Sequence, residues 1–317
     1  MKRTGFVYDE RYLLHNTGNY HPESSKRLEV IIKWLENSGI LKQLTRIEAS
    51  KADQRWIETV HNVSYIMRFK DACTTGLNEF EHPDNCICRD SYDTAFLAVG
   101  GILKAIDAVM KGEVDNAFCA IRPPGHHAEV DKPMGFCYFN NVAIGARYLQ
   151  KEYGIERVGI IDFDVHHGNG TQHIFESDPM VFYYSIHEHP SFAYPGTGRA
   201  FEAGFGMGKG YTVNSPVLPG QGDDDYKRLI MQELVPAFKK FTPKFILLSA
   251  GFDAHEADMM SGTNLSNEGY DFISEVIMNL AKSCSGGRVV SVLEGGYNLN
   301  ILPILVEKHI RFLADLK

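Results

Sequence analysis

The alternation of short apolar runs with helical patterns is the feature that most limits the fold of this 317-residue chain. Runs rich in β-branched residues recur at 5–8, 117–121, 158–163, 181–186, 245–249 and 289–293, and a shorter strand-like segment lies at 211–213. Continuous apolar runs of this length are typical of strands buried on both faces of a parallel sheet. Between them, apolar residues at helical spacing, such as Leu28, Ile31 and Leu35, predict amphipathic helices. The sequence therefore predicts one α/β domain over residues 1–317, an open, mostly parallel sheet flanked by helices.

Composition and charge exclude several classes of protein. Hydrophobic residues make up 44% of the chain and charged residues 23%, as in ordinary globular domains. The 32 basic and 40 acidic residues leave a net charge of −8, which disfavours nucleic acid and anionic membranes as partners. No apolar run reaches the roughly 18 residues of a membrane-spanning helix, and residues 4–16 lack the apolar core of a signal peptide. Six cysteines without CxxC pairs indicate reduced thiols, so we expect a cytoplasmic protein. The oligomeric state is left open.

Polar side chains follow four of the predicted strands. In open parallel sheets, ligands bind at the carboxyl ends of strands, so polar clusters at four strand ends indicate one shared pocket. The clusters are Arg122-Pro-Pro-Gly-His-His127, Asp162-Phe-Asp-Val-His-His-Gly-Asn169, Gly251-Phe-Asp253 and Glu294-Gly-Gly-Tyr297.

The second cluster has the spacing of metal ligands. Asp162, Asp164 and His166 alternate with a period of two, so an extended chain would project all three to one side. A catalytic metal typically keeps three protein ligands and an open position, and Asp164, His166 and Asp253 would supply two carboxylates and an imidazole. The alternative is that the aspartates cap strand ends and the histidines bond to backbone. We predict a metal site at Asp164, His166 and Asp253.

The remaining polar residues suit proton transfer. Pro123, Pro124 and Gly125 allow the backbone to turn, so that His126 and His127 can reach one pocket, where one of them is a candidate general base. Asp162 and Asn169 are candidates for the groups that fix the histidine tautomers. Tyr297 follows two glycines at a strand end, where a phenol could reach a developing oxyanion. The alternatives are loop hydrogen bonding for the histidines and a packed corner for Tyr297.

In their order and spacing, these motifs resemble the zinc-dependent histone deacetylase family, in particular its class II-like bacterial and archaeal members. The similarity runs from His21-Pro22-Glu23 and Arg27 to the final Gly-Gly-Tyr, and it includes the motifs Gly135-Phe-Cys-Tyr-Phe-Asn-Asn141 and Pro195-Gly-Thr-Gly198. The resemblance implies the arginase–deacetylase fold, which agrees with the predicted open α/β sheet.

The resemblance also implies an activity and a role for each residue. The activity is hydrolysis of acetyl or other acyl groups from the side-chain amine of acyl-lysine in proteins or peptides, with release of acetate. Zn²⁺, or alternatively Fe²⁺, would sit on the predicted metal ligands. His127 would deprotonate water and later protonate the leaving amine, and His126 would support the charge. Tyr297 would polarise the carbonyl, with Asp162 behind His126 and Asn169 behind His127.

Asn169 stands where some branches of the family have Asp. An amide cannot stabilise an imidazolium as a carboxylate would, so we hypothesise that His127 is readily neutral at pH 7.

The resemblance implies further sites as well. A narrow tunnel for the acyl-lysine chain would be lined by Gly135, Phe136, Tyr194 and Met260, with Tyr194 in place of a more common Phe. Structural K⁺ ions would bind at an inner and an outer site. The inner site would use Ser185 and Ile186 together with the backbone of the 162–166 segment, and the outer site would use the backbone near Phe175, Asp178, Val181 and Tyr211.

Three other functions stay open. The first is an amidohydrolase for acetylpolyamines or other small acetylated amines. Polyamine-selective relatives carry an acidic gatekeeper where this chain has Met260, although Glu79, Glu81 and Asp84 could supply negative charge at the rim. The second is a non-catalytic binding protein of the same fold, and the third is an arginase-like ureohydrolase, whose Asp-rich pattern is absent here.

Overall fold

The computed structural model describes residues 2–316, in which one large parallel sheet organises the chain. Its strands, with a separate antiparallel hairpin β3–β4, are β1 (Thr4–Val7), β2 (Thr45–Ile47), β3 (Glu79–Phe80), β4 (His82–Cys86), β5 (Asn116–Cys119), β6 (Val158–Asp162), β7 (Val181–Glu188), β8 (Thr212–Val217), β9 (Phe245–Ala250) and β10 (Val289–Leu293). The large sheet has eight strands in the order β2-β1-β5-β10-β9-β6-β7-β8, and every pairing in it is parallel.

Helices flank the sheet in two packed groups. The α-helices are α1 (Lys26–Asn37), α2 (Gln54–Ile57), α3 (Val63–Thr75), α4 (Ser91–Met110), α5 (Asn141–Tyr153), α6 (Asn169–Phe175), α7 (Asp223–Leu229), α8 (Val235–Phe241), α9 (Asn267–Cys284) and α10 (Leu302–Ala314). A π-helical stretch, Ile230–Leu234, joins α7 to α8. The helices α1, α10, α9 and α8 pack in succession, while α4 packs on α5. Within residues 2–316, no helix combines the length and the apolar character that crossing a bilayer requires.

All six apolar runs of the sequence form strands, and their burial explains why they stand out. Every residue of β5, β6, β9 and β10 is buried, because helices cover both faces of the sheet. The two strands at the sheet edges are less apolar. β2 has three residues, none of them fully buried. β8 mixes buried with half-buried positions and contains Asn, Ser and Pro, so only its first residues resembled a strand in sequence.

The strand order brings the four polar clusters together. β5, β10, β9 and β6 are consecutive neighbours in the middle of the sheet. Because all eight strands are parallel, their carboxyl ends lie at one edge, and the loops that follow these four strands meet there.

Candidate active site

Three ligand-type side chains from two neighbouring strand ends converge at this edge. Asp164 and His166 follow β6, and Asp253 follows β9. His166 Nδ1 lies 3.1 Å from Asp164 Oδ1 and 3.2 Å from Asp253 Oδ2. A tetrahedral ion with ligands at about 2.0–2.1 Å separates its ligand atoms by about 3.3–3.4 Å, close to these spacings. The structure therefore brings together the three residues predicted to bind a metal ion.

The backbone between them does not follow the extended course predicted from the period-two spacing. β6 ends at Asp162, and the chain then bends. The Asp162 carboxylate accepts the N–H of Asp164 at 3.2 Å, and the Asp164 carboxylate accepts the N–H of His166 at 2.9 Å. Two such Asp turns in succession account for the bend. As a result, Asp164 and His166 face one point, while Asp162 faces His126 instead.

The chemistry of these three donors fits a cation. All three side chains are nearly or fully buried, and Asp253 Oδ2 accepts no well-aligned hydrogen bond within the described residues, although His166 Nδ1 lies 3.2 Å away. Burial disfavours a carboxylate, and together with repulsion from Asp164 it raises the pKa of Asp253 to about 6. Burial would lower the pKa of His166, but Asp164 and Asp253 outweigh that effect and raise it. Two buried carboxylates that face the same imidazole form an environment that a divalent cation would balance.

The paired histidines lie beside the metal-type site, and each has its own partner. Their rings are 4.0 Å apart at the centroids, and both side chains are almost fully buried. His126 Nδ1 donates to Asp162 at 3.0 Å, and His127 Nδ1 donates to Asn169 Oδ1 at 2.7 Å. The Gly125 and His126 amides both donate to Glu294, which fixes the loop that carries the pair.

The pKa values of the two histidines are shifted in opposite directions. Burial alone would lower the pKa of His126, but Asp162 and Asp164 outweigh it and raise the pKa to about 10. The pKa of His127 is lowered well below its usual value, first by burial and then by the charge of His126. The arrangement favours a charged His126 beside a neutral His127. Burial and the charge of His126 cause this, whereas the hydrogen bond to Asn169 raises the pKa of His127, so the effect of an amide in place of a carboxylate stays a hypothesis.

Tyr297 is held by hydrogen bonds from the backbone of its turn and by a cation–π contact on its ring. Asp258 accepts the N–H groups of Tyr297 at 2.6 Å and Asn298 at 2.9 Å. The guanidinium of Arg27 lies 5.0 Å from the ring centroid and also donates to the carbonyl of Gly296. Burial raises the pKa of the phenol well above its usual value, so the hydroxyl stays a proton donor.

A cavity of about 240 Å³ connects these groups. Its lining includes two of the polar residues just described, His127 and His166, with Tyr297 beside them. The four residues predicted for the tunnel, Gly135, Phe136, Tyr194 and Met260, line it too. One carboxylate, that of Asp84, also lines it. The other two acidic residues considered for the rim, Glu79 and Glu81, do not line it, and Glu81 pairs with Arg68 at 2.8 Å.

One wall of the cavity needs glycine. Gly135 has a φ of +52°, and a Cβ atom at this position would collide with the ring of His127 and approach Tyr194 to 3.0 Å. The ring of His127 packs edge-on to Tyr194 with centroids 5.0 Å apart. The absence of a side chain at Gly135 therefore lets the ring of His127 lie against this part of the cavity lining.

The residues predicted for potassium lie near β6 and β7. Asp162 and Ser185 are register partners on these strands, and the Ser185 hydroxyl bonds to His187 at 2.7 Å. For the outer site, the carbonyl of Phe175 accepts the N–H of Asp178, and the carbonyl of Tyr211 accepts the N–H of Tyr183. The remaining predicted residues, Ile186 and Val181, belong to the same strand β7. Potassium binding stays a prediction.

Sequence reasoning named three charged residues within the motifs but assigned them no role, and the structure shows that they connect the segments of the site. Buried Glu23 pairs with both Arg27 and Arg122, and these charges outweigh its burial and hold its pKa at about 2. Arg27 also donates to the carbonyl of Glu294 at 2.5 Å, which links the opening His-Pro-Glu segment to the Gly-Gly-Tyr turn. Of the three, only Arg122 directly follows an apolar run, so the sequence offered little signal for this network.

Comparisons with known proteins identify the family. The domain family described as "Histone deacetylase domain" matches residues 21–313. The "Probable deacetylase" of Archaeoglobus fulgidus is 40% identical over 299 residues, which cover 93% of this chain and 82% of that protein. The "Histone deacetylase-like amidohydrolase" of Pseudomonas aeruginosa is 34% identical over 322 residues, covering 95% of this chain and 83% of that protein.

A solved structure gives the same result. The crystal structure of the HDA15 HD domain superimposes with a TM-score of 0.94 at 35% identity, covering 99% of this chain and 89% of that one. The fold is that of a histone deacetylase-like protein. This chain belongs to the histone deacetylase domain family, and the predicted family and fold class are both confirmed.

Proposed function

We propose that this chain is a metal-dependent amidohydrolase that removes acetyl or other acyl groups from the side-chain amine of acyl-lysine in proteins or peptides, with residues 1–317 acting as one catalytic domain. One observation carries the proposal: a candidate base, His127, a candidate oxyanion donor, Tyr297, and a member of the metal-type trio, His166, line the same cavity. These are the groups that hydrolysis of an unactivated amide requires.

Asp164, His166 and Asp253 would hold the metal ion. The ion, Zn²⁺ or alternatively Fe²⁺, would supply a Lewis acid for the amide carbonyl and for the attacking water. Two carboxylates and one imidazole suit either ion. K⁺ is proposed as an additional structural ion at the residues predicted for it.

The residues of the chain would move the protons. His127 Nδ1–H donates a hydrogen bond to Asn169 Oδ1, so the proton of the neutral ring lies on Nδ1. The lone pair of Nε2 is therefore free to accept a proton from water. The water oxygen bonds to the carbonyl carbon, and Tyr297 donates a hydrogen bond to the oxygen that gains negative charge. His127 then returns the proton to the leaving nitrogen as the C–N bond breaks, which gives acetate and a free amine. His126, paired with Asp162, supports the negative charge.

The lining of the cavity favours acyl-lysine over acetylpolyamine. Phe136, Tyr194 and Met260 present apolar surface to an alkyl chain. A polyamine would bring a second ammonium group, but within the described residues Asp84 is the one acidic residue of the lining, and the ring of His82 lies against its carboxylate. Met260, the position of the expected gatekeeper, offers no charge to such a group.

The test compares two substrates with the metal-loaded protein. We expect a higher kcat/KM for a fluorogenic acetyl-lysine peptide than for N-acetylputrescine, with activity lost in chelator and restored by Zn²⁺. Preference for N-acetylputrescine would favour the second candidate, a small-amine amidohydrolase. Turnover of neither substrate would contradict the amidohydrolase proposal and favour a binding protein.

We also propose a cytoplasmic location, which the six free thiols of the chain support.

A further inference from the structure

The orientation of one side-chain amide decides which nitrogen of His127 carries the proton. Asn169 begins α6 and presents its Oδ1 to His127 Nδ1 at 2.7 Å. An amide oxygen only accepts, so this contact keeps the proton on Nδ1 and leaves Nε2 free.

A rotated amide would have the opposite effect. With Nδ2 facing His127, two N–H donors would meet unless the histidine moved its proton to Nε2. His127 would then have no free lone pair on the nitrogen that the proposed mechanism uses as the base. A carboxylate at this position would need no such control, because both of its oxygens accept.

The surroundings of the Asn169 amide nitrogen select one orientation. Nδ2 donates to Glu129 Oε1 at 2.5 Å, and it also approaches the His127 carbonyl at 3.2 Å and Met134 Sδ at 3.4 Å. Glu129 is the one charged acceptor of the three, and a charge-assisted hydrogen bond is roughly twice as strong as a neutral one. The thioether sulfur is a weak acceptor.

Glu129 is itself held in place. His173 Nδ1, one helical turn along α6 from Asn169, contacts the same Glu129 oxygen at 2.8 Å, and this contact raises the pKa of His173. The backbone N–H of Glu129 donates to the carbonyl of Lys132. The Glu129 side chain is 18% exposed, so the carboxylate that faces Asn169 is mostly shielded from water.

We propose that Glu129 is a positioning residue that fixes the amide of Asn169 and, through it, the base-competent tautomer of His127. This inference rests on the proposed function, because it assigns a purpose to the free Nε2 of His127. In this role, Glu129 does not need to contact the substrate.

A double-mutant cycle tests the proposal. Glu129→Ala should lower kcat at least tenfold in the otherwise unchanged protein, and KM should change less than threefold. In an Asn169→Asp background, the same substitution should lower kcat less than threefold, because the carboxylate needs no orientation. Glu129→Gln should recover much of the activity, since it keeps an acceptor oxygen. Equal losses in both backgrounds would overturn the proposal and indicate a merely structural role.

Glu176→Ala is the matched control. Glu176 directly follows the last residue of the same helix, and its side chain makes no hydrogen bond or ion pair within residues 2–316. Its removal takes away a neighbouring carboxylate without touching Asn169, so we expect activity within twofold of the unchanged protein. A tenfold loss in this control would show that general charge near α6, not the contact of Glu129 with Asn169, controls kcat, and it would overturn the proposal.

A second readout does not depend on catalysis. In protein labelled with ¹⁵N-histidine, long-range ¹H–¹⁵N correlation spectra distinguish a protonated Nδ1 from a protonated Nε2, and His127→Gln assigns the signal. We expect His127 to carry its proton on Nδ1, and a substantial Nε2-protonated population to appear in Glu129→Ala. An unchanged tautomer in Glu129→Ala would refute the proposal. If the protein lacked deacetylase activity, this measurement would still decide the role of Glu129.

Discussion

Replacing Tyr297 by Phe removes one hydroxyl from the candidate site and leaves its surroundings in place. The ring would keep its contact with the guanidinium of Arg27, 5.0 Å from its centroid, and its edge-on packing against Phe136. The backbone would keep both hydrogen bonds to Asp258. Within the described residues, the hydroxyl makes no hydrogen bond, so its removal leaves no buried partner unsatisfied.

The expected effects of Tyr297→Phe on stability and on kcat follow from this geometry. Because nothing in the free protein depends on the hydroxyl, we expect the free energy of unfolding to change by about 1 kcal/mol or less. The hydroxyl would act only when the carbonyl oxygen gains charge, so its loss should appear in kcat. Loss of one oxyanion donor costs about 2.7–4 kcal/mol, or roughly 10²–10³ in kcat.

Steady-state hydrolysis of a fluorogenic acetyl-lysine peptide, together with urea unfolding, measures both quantities. Tyr194→Phe is the matched comparison, since it removes a phenol hydroxyl from another residue that lines the same cavity, and we expect less than a tenfold change in kcat. A decrease of less than fivefold for Tyr297→Phe, or an equal decrease for both variants, would refute the assignment of Tyr297 as the oxyanion donor.

Three further predictions concern the core, the base and the tunnel. Glu23→Ala leaves two buried arginines without their shared carboxylate and should lower the free energy of unfolding by about 3–5 kcal/mol in urea titration, whereas a loss below about 1 kcal/mol would contradict this role. Asn169→Asp places a carboxylate against His127 and should raise its depressed pKa. Since activity needs neutral His127, the acidic limb of kcat/KM should move to higher pH, and an unmoved limb would contradict the assigned base. Met260→Glu should increase kcat/KM for N-acetylputrescine relative to the acetyl-lysine peptide, and an unchanged ratio would show that Met260 does not control selectivity.

Much of the fold was predictable from the sequence because its central strands are buried on both faces. β6, β9 and β10 appear as mostly apolar runs, and the polar residues that follow them mark the edge where ligands bind. The edge strand β2 was not predictable, because three residues without a buried side chain carry no such signal.

The site was predictable in its residues and less so in its geometry. The spacing of Asp164 and His166 suggested a shared direction, but the bend that brings them together depends on the carboxylates accepting backbone N–H groups two residues further on. The links made by Asp258 and Glu129 join segments about 40 residues apart, and only the folded chain shows such contacts.

Metal stoichiometry measured together with activity tests the central claim most directly. The claim is that Asp164, His166 and Asp253 hold one divalent ion that works with His127 to split an N-acyl bond. When metal-stripped protein is titrated with Zn²⁺, hydrolysis of the acetyl-lysine peptide should rise in proportion to bound zinc up to one ion per chain. Asp253→Ala should lose both the zinc binding and the hydrolysis. Full activity in the stripped protein, or unchanged zinc binding by Asp253→Ala, would contradict the account.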